Sequence, residues 1–213
     1  GVELTLRMLY NPAMETALFM VPGVMCMLLT LLTMILTSTS IAREKEMGTF
    51  ETLIAAPIEK WEILLGKTLP YVVLGMLDVP LILAVAVVLF GVPVRGPLWM
   101  LALGNLAYVC TMVGVGTLVS TVTKRQQQAM MATFLVLFPS QMLSGVFYPL
   151  DNMPWVIRWV TYFNPLRYEV TLLRNVMLKG GDPGVFWTCM AALTALGAAS
   201  VWYSFRRFSQ TLN

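Results

Sequence analysis

Apolar positions along this chain collect into long runs separated by short polar islands, the pattern of repeated membrane crossings. Five runs have roughly the length of a span: 17–42, 64–90, 99–123, 129–147 and 185–205. The first has about 26 residues at about 1.5 Å each, more than the ~30 Å hydrocarbon core, so it can tilt or protrude. Its second half is rich in hydroxyls (Thr30, Thr33, Thr37, Ser38, Thr39, Ser40), which favours helix packing over a polar pathway. The second run carries Asp78 near its middle and three expected interruptions at Pro70, Gly75 and Pro80. The third has a small-residue patch at Gly114 and Gly116, suited to close helix contact. Pro139-Ser140-Gln141 interrupts the fourth. Residues 1–16 are half polar and read as an interfacial lead-in.

Two polar segments have internal order. Arg43 to Lys67 holds nine of the 25 charged residues. Phe50, Leu53 and Ile54 recur there at helical spacing, Pro57 breaks the turn, and Ile58, Trp61, Leu64 and Leu65 resume the period. The expectation for 43–63 is a short amphipathic helix, a break, and a second helix entering the membrane, together a docking element rather than a plain loop. The second segment, 148–183, begins in a stretch from Phe147 to Tyr168 that holds seven of the 23 aromatics along with Pro149, Pro154 and Pro165. Trp and Tyr favour the headgroup layer, so short re-entrant or interfacial helices are expected there. Leu166, Val170, Leu173 and Met177 then form a stripe set against Arg167, Glu169, Arg174 and Lys179, as for a helix lying on the membrane surface.

Composition sharpens the class. Of 213 residues, 58% are hydrophobic and 12% charged, with a mean hydropathy of +0.75. Soluble domains carry roughly a quarter charged residues. The chain therefore reads as an all-α integral membrane protein with one transmembrane domain over 1–213. Its net charge of +3 comes from span ends, and no face interleaves Lys and Arg with aromatics, which argues against nucleic acid. Cys26, Cys110 and Cys189 lie far apart in apolar runs, and histidine is absent. They read as free, buried thiols, with no metal site expected. Gly1 opens the chain and GVELTLRMLYNP lacks an apolar core, so an upstream portion is expected. Five spans put the two termini on opposite sides. The short basic flanks at 43–67, Lys124-Arg125 and Arg206-Arg207 share one side, which the positive-inside rule makes cytoplasmic, the C-terminus included.

Chemistry on a substrate is not indicated. Gly66-Lys67-Thr68 ends like a phosphate loop, but Trp61 stands where that motif needs its first Gly. There is no nucleophile elbow, and without His most acid-base schemes lose their usual player. Asp78 admits two readings: a functional carboxylate, or one that bonds a neighbouring helix or covers the backbone gap left by Pro80.

The residues Arg43-Glu44-Lys45-Glu46-x-Gly48-Thr49-Phe50-Glu51-x-Leu53, with Pro57 and Leu64-Leu65-Gly66-Lys67, resemble the first cytoplasmic loop of ABC-2 type transporter permeases. Asp78 in the following span fits the same pattern. So does the late segment Phe147-Tyr148-Pro149, Met153-Pro154, Asn164-Pro165-Leu166-x-Tyr168, Arg174 and Leu178-x-Gly180, which is similar to that family's extracytoplasmic re-entrant region. The resemblance covers essentially the whole chain and is closest to bacterial drug-export-type members.

It implies six membrane helices in the family against about five here. It also implies a further span and a large extracytoplasmic domain before the equivalent of residue 1. A second permease protomer, identical or related, is implied, as is a separate cytoplasmic ATPase subunit that binds ATP and Mg; no cofactor is expected on this chain. By analogy, Gly48 to Ala56, including Thr49, Phe50, Glu51 and Leu53, forms a coupling helix seated in a groove of the ATPase. Arg43, Glu44 and Glu46 would hold its base at the membrane surface. The substrate path would run between protomers, lined by the first and fourth spans. Phe147, Tyr148, Pro149, Asn164, Pro165 and Tyr168 would contribute to an outer gate. The function implied is the permease subunit of an ATP-driven exporter in a bacterial inner membrane. Drugs, lipids or polysaccharides all fit as cargo. The alternative is an ion-coupled transporter or channel using Asp78, which would lack a second intramembrane charge; a third is a non-transporting scaffold.

Overall fold

The computed structural model describes residues 16–48, 60–147 and 153–211. Among these, seven α-helices and no strand are present: α1 Thr16–Glu46, α2 Lys60–Phe90, α3 Leu98–Val122, α4 Gln126–Met142, α5 Trp155–Thr161, α6 Pro165–Lys179 and α7 Pro183–Thr211. Four of them contain stretches long and apolar enough to cross a membrane: Met20–Glu46, Trp61–Phe90, Leu98–Val122 and Pro183–Arg207.

The expected breaks at proline do not occur. α2 runs continuously for 31 residues through Pro70, Gly75 and Pro80. Each proline removes one backbone donor, a loss that a long helix can absorb. α4 likewise passes through Pro139 and stops only after Met142, where the Leu143 amide bonds the Pro139 carbonyl at 3.0 Å and Gly145 takes a φ of 82°. Its 17 residues span about 26 Å. The span expected over 129–147 is therefore a shorter helix followed by a turn.

Helix α3 is the axis of the bundle, packed most extensively along α7 and α1, with α2 and α4 flanking α1. Small and hydroxyl-bearing residues set these contacts, as expected where lipid removes the hydrophobic drive between helices. Gly116 lies against Thr37 and the Met34 carbonyl, and Gly114 against Ser200. Ser38 and Thr133 hydroxyls bond at 2.7 Å between α1 and α4. Thr111 donates to the Leu193 carbonyl at 3.1 Å and Ser204 to the Gly114 carbonyl at 3.2 Å, joining α3 to α7. Thr30, Thr33, Thr37 and Ser38 are all buried, as packing residues are. Of the three thiols, Cys26 and Cys189 are buried but Cys110 is exposed, in a groove lined by residues of α2, α3 and α7. The large apolar side chains left exposed, such as Leu69, Leu77, Leu81 and Val88 of α2, form the surface a bilayer or a second protomer would cover.

Helix α6, expected to lie along the membrane surface, does not leave its apolar stripe for lipid. This helix packs into the bundle against α1, α3 and α7, with Leu166, Glu169, Val170, Leu172, Leu173, Asn175, Val176 and Met177 buried. Leu172 approaches so closely that a Cβ at Gly104 would fall 2.6 Å from its methyl carbons. Glu169 stands three residues after Leu166 and four before Leu173. It therefore belongs to the apolar stripe and not to the face opposite it.

Candidate functional site

Polar side chains gather at the two ends of the bundle. At one end α1 delivers its last turn beside the start of α2 and the α3–α4 corner. Glu44 and Lys67 form a salt bridge between α1 and α2, with the Lys67 side chain 12% exposed and that of Glu44 37%. Tyr71 of α2 donates its hydroxyl to Ser40 of α1. The Lys45 ammonium reaches the Ser120 carbonyl at 2.5 Å, satisfying an acceptor that the last turn of α3 leaves open. The Glu46 carboxylate accepts from the Gln126 amide at 3.0 Å and covers the first turn of α4, where an anion meets the positive end of the helix dipole. Three consecutive residues, Glu44, Lys45 and Glu46, thus tie the end of α1 to α2, α3 and α4 in turn.

Beyond them the chain turns sharply. The Met47 amide bonds the Arg43 carbonyl at 2.9 Å and Gly48 has a φ of 74°, a left-handed conformation that glycine adopts without strain. Arg43 is exposed. Thr49, Phe50, Glu51 and Leu53 lie outside the described residues. Of the residues at this end, Lys45, Ser120, Gln126 and Tyr71 were not singled out from sequence. Lys45 alone left a signal, as a cation between two anions at the close of an apolar run.

Asp78 is half buried in α2, with no hydrogen bond or ion pair to its carboxylate among the described residues. The helix is continuous across Pro80, so no break is present for Asp78 to cover.

The other end is held by backbone groups. The loop between α2 and α3 sends the Arg95 and Gly96 amides to the Met177 and Val176 carbonyls at 3.1 and 2.9 Å, capping the last turn of α6. Gly180 follows in the left-handed conformation (φ 89°), and the Asn175 side chain brackets Asp182, donating to its carbonyl at 3.0 Å and accepting its amide at 3.1 Å. At the start of α6, Asn164 accepts the Leu166 amide and donates to the Ser140 carbonyl of α4 at 2.7 Å, while Pro165 occupies the first helical turn. The Tyr168 hydroxyl donates to the Tyr162 carbonyl at 2.9 Å. Asn164, Pro165 and Tyr168 are thus brought together at the α5–α6 corner. Phe147 is exposed at the end of the turn after α4, and Tyr148 and Pro149 lie outside the described residues. Between α1, α3, α4 and this corner lies a cavity of about 270 Å³, its wall including Thr30, Met34, Leu137, Ser140, Asn164 and Leu166.

Glu169 is the residue that sequence reading misplaced. It is fully buried, and neither carboxyl oxygen has a hydrogen-bond partner among the described residues. Burial alone pushes its pKa up to about 8. The bundle therefore does hold a second carboxylate besides Asp78. No group of three or more metal-ligating side chains is present among the described residues.

The family model described as ABC-2 type transporter matches residues 4–178. The chain belongs to this family. As an ABC-2 transporter chain it is 31% identical over 208 residues to the probable multidrug ABC transporter permease YbhR of Escherichia coli, covering 96% of this chain and 56% of that protein. It is 41% identical over 188 residues to the probable multidrug ABC transporter permease YbhS of the same organism, covering 86% and 49%. To the inner membrane transport permease YhhJ it is 33% identical over 217 residues, covering 99% and 57%. The chain thus spans about half the length of these relatives. Membership of the ABC-2 family and the four long apolar helices make it an integral membrane protein.

Proposed function

We propose that this chain forms the membrane-spanning part of the permease subunit of an ATP-driven exporter. In this reading the segment between Gly48 and Lys60 is the lever on which a separate ATPase acts. Its charged end faces the cytoplasm, with the C-terminus on the same side, in a bacterial inner membrane. ATP and Mg are bound by the partner, and two permease protomers enclose the path.

The observation that carries the reading is the set of ties made by Glu44, Lys45 and Glu46. They join four helix ends directly beside the lever, so a displacement there is shared by α1, α2, α3 and α4 instead of bending one helix. A ligand shifts such an equilibrium by the difference in its affinity for the two states, here the ATPase dimer with and without ATP. The cavity between α1 and α4, walled by apolar side chains with a few hydroxyl and amide groups, supports an amphipathic cargo. The relatives named as multidrug permeases support the same class.

The test is a Phe50→Ala, Glu51→Arg variant in the assembled exporter. Export should fall at least tenfold while ATP hydrolysis persists or the ATPase dissociates. Normal export with the ATPase still bound would refute the lever. Transport by this chain with no ATPase present would refute the exporter reading altogether.

A further inference from the structure

The seat of α6 contains an acid with nothing to ionise against. Glu169 lies where α6 meets α1, α3 and α7, with both carboxyl oxygens buried and without hydrogen-bond partners among the described residues. An ionised carboxylate in such a place loses its hydration without recovering it, whereas the neutral acid gives up far less.

Among the described residues no cation offsets that loss. From α1 the group facing it is the Cys26 thiol, from α3 the Tyr108 phenol, and from α7 the Cys189 thiol. The polar groups of the first two are already engaged. Cys26 donates to Tyr108 at 3.6 Å, and Thr30 bonds Tyr108 and donates to the Cys26 carbonyl at 2.5 Å. Helix α4 has no titratable side chain. The cations of this end point elsewhere. Arg174 donates to the Gly145 carbonyl at 3.1 Å, Arg95 to the Leu178 carbonyl at 3.3 Å, and Arg167 to Thr161 at 2.5 Å with its guanidinium 4.1 Å from the Tyr162 ring centre. Arg158 sits on the exposed face of α5, and Asp182 accepts the Gly184 amide.

We propose that Glu169 is a proton-binding site, protonated while α6 is seated against α1, α3 and α7 and deprotonated when that seat opens to water. In the release step the carboxyl O–H bond breaks, the proton passes to water, and the carboxylate left behind is stable only while hydrated. Proton binding thus holds the seat closed, and alkaline pH favours its opening. With a closed-state pKa of about 8 against an ordinary glutamic acid near 4.5, raising the pH from about 6 to about 8 shifts the opening equilibrium by a few tens of fold. The site needs only this chain and is independent of any ATPase.

The test is infrared difference spectroscopy of the purified protein in lipid nanodiscs, titrated across neutral pH. Glutamate labelled with carbon-13 at the side-chain carboxyl separates Glu169 from Asp78 and Asp182. The expected result is one protonated glutamic acid band that persists above pH 6 and disappears around pH 8. It should be absent from Glu169→Gln. A spectrum in which every labelled carboxyl is ionised by pH 6, or a band that survives in Glu169→Gln, overturns the proposal. Labelling reads the unmodified protein, so the result does not depend on whether the variant folds. Thermal unfolding adds a second reading. The group's folded pKa is raised, so its contribution is fully present below about pH 4.5 and is lost as pH rises toward 8; the wild-type midpoint should fall over that window, while that of Glu169→Gln stays flat relative to it.

Discussion

At the end where α1 passes to α2, charged side chains carry most of the ties; around α6, backbone amides and buried side chains do. The first set stays partly in water. The Glu44 side chain keeps 37% of its exposure, and ion pairs of this kind are worth ~0–1 kcal/mol because water competes for both partners. Such ties can break and re-form at small cost. In the second set the capped residues, Val176 and Met177, are fully buried. Losing the amide that caps an α6 carbonyl leaves a buried acceptor unsatisfied, at about 1–3 kcal/mol. On the proposed function, the first end is the one a push from the ATPase would shift. The other end, on the proton-binding proposal, holds until Glu169 changes its protonation state.

The contrast breaks most readily at Gly96. A Cβ there would fall 2.6 Å from the Val176 carbonyl oxygen, a backbone atom that cannot rotate away. Gly96→Ala should therefore displace the loop and release the caps on α6, costing ~1–3 kcal/mol. A thermal midpoint lowered by several degrees, with faster amide exchange in the last turn of α6, is the expected outcome. An unchanged midpoint would mean that the loop does not hold the helix. Asn164→Ala comes next, at about 1–2 kcal/mol, since it removes both the bond to the Ser140 carbonyl and the cap on the Leu166 amide. Asn164→Ser keeps a capping oxygen and loses the amide donor to Ser140, so its midpoint should lie between alanine and wild type.

How much of this was legible in the chain differs between the two ends for a physical reason. Apolar run length announced the four long helices, while the coupling segment expected from charge density falls largely outside the described residues. Gly114 and Gly116 announced a close contact, although the partners, Ser200 and Thr37, come from spans far away in sequence. Prolines were over-read: Pro70, Pro80 and Pro139 each lie inside a continuous helix, because a single missing donor is tolerated once tertiary contacts hold the rest. The partners of α6 were not legible, because amphipathic spacing shows that a helix has two faces but not what covers each. Its stripe suited a lipid surface as well as the α1–α3–α7 seat. Assigning Glu169 to the polar face ignored its spacing of three from Leu166, which was visible in the sequence. The ties of Lys45 to Ser120 and Glu46 to Gln126 left almost no trace, since backbone acceptors and donors carry no sequence signature.

The smallest expected effect on stability sharpens the comparison furthest. Lys67→Ala removes the partner of Glu44, and partial exposure limits the cost to ~0.5–1 kcal/mol. If the charged end only held the fold together, export would fall no more than that small loss of folded protein allows. If it transmits force, the ion pair between α1 and α2 is lost and only ties such as Tyr71 to Ser40 remain, so ATP hydrolysis should continue while export per ATP drops severalfold. The exchange Glu44→Lys with Lys67→Glu restores an ion pair between the same helices and should recover much of the export. Each single variant then serves as the control for the other in a double-mutant cycle. A cycle with no coupling in export, at unchanged protein abundance, would place force transmission in the ties of Lys45 and Glu46 instead. Coupling in export larger than in thermal stability is the result that separates an end built to shift from an end built to hold.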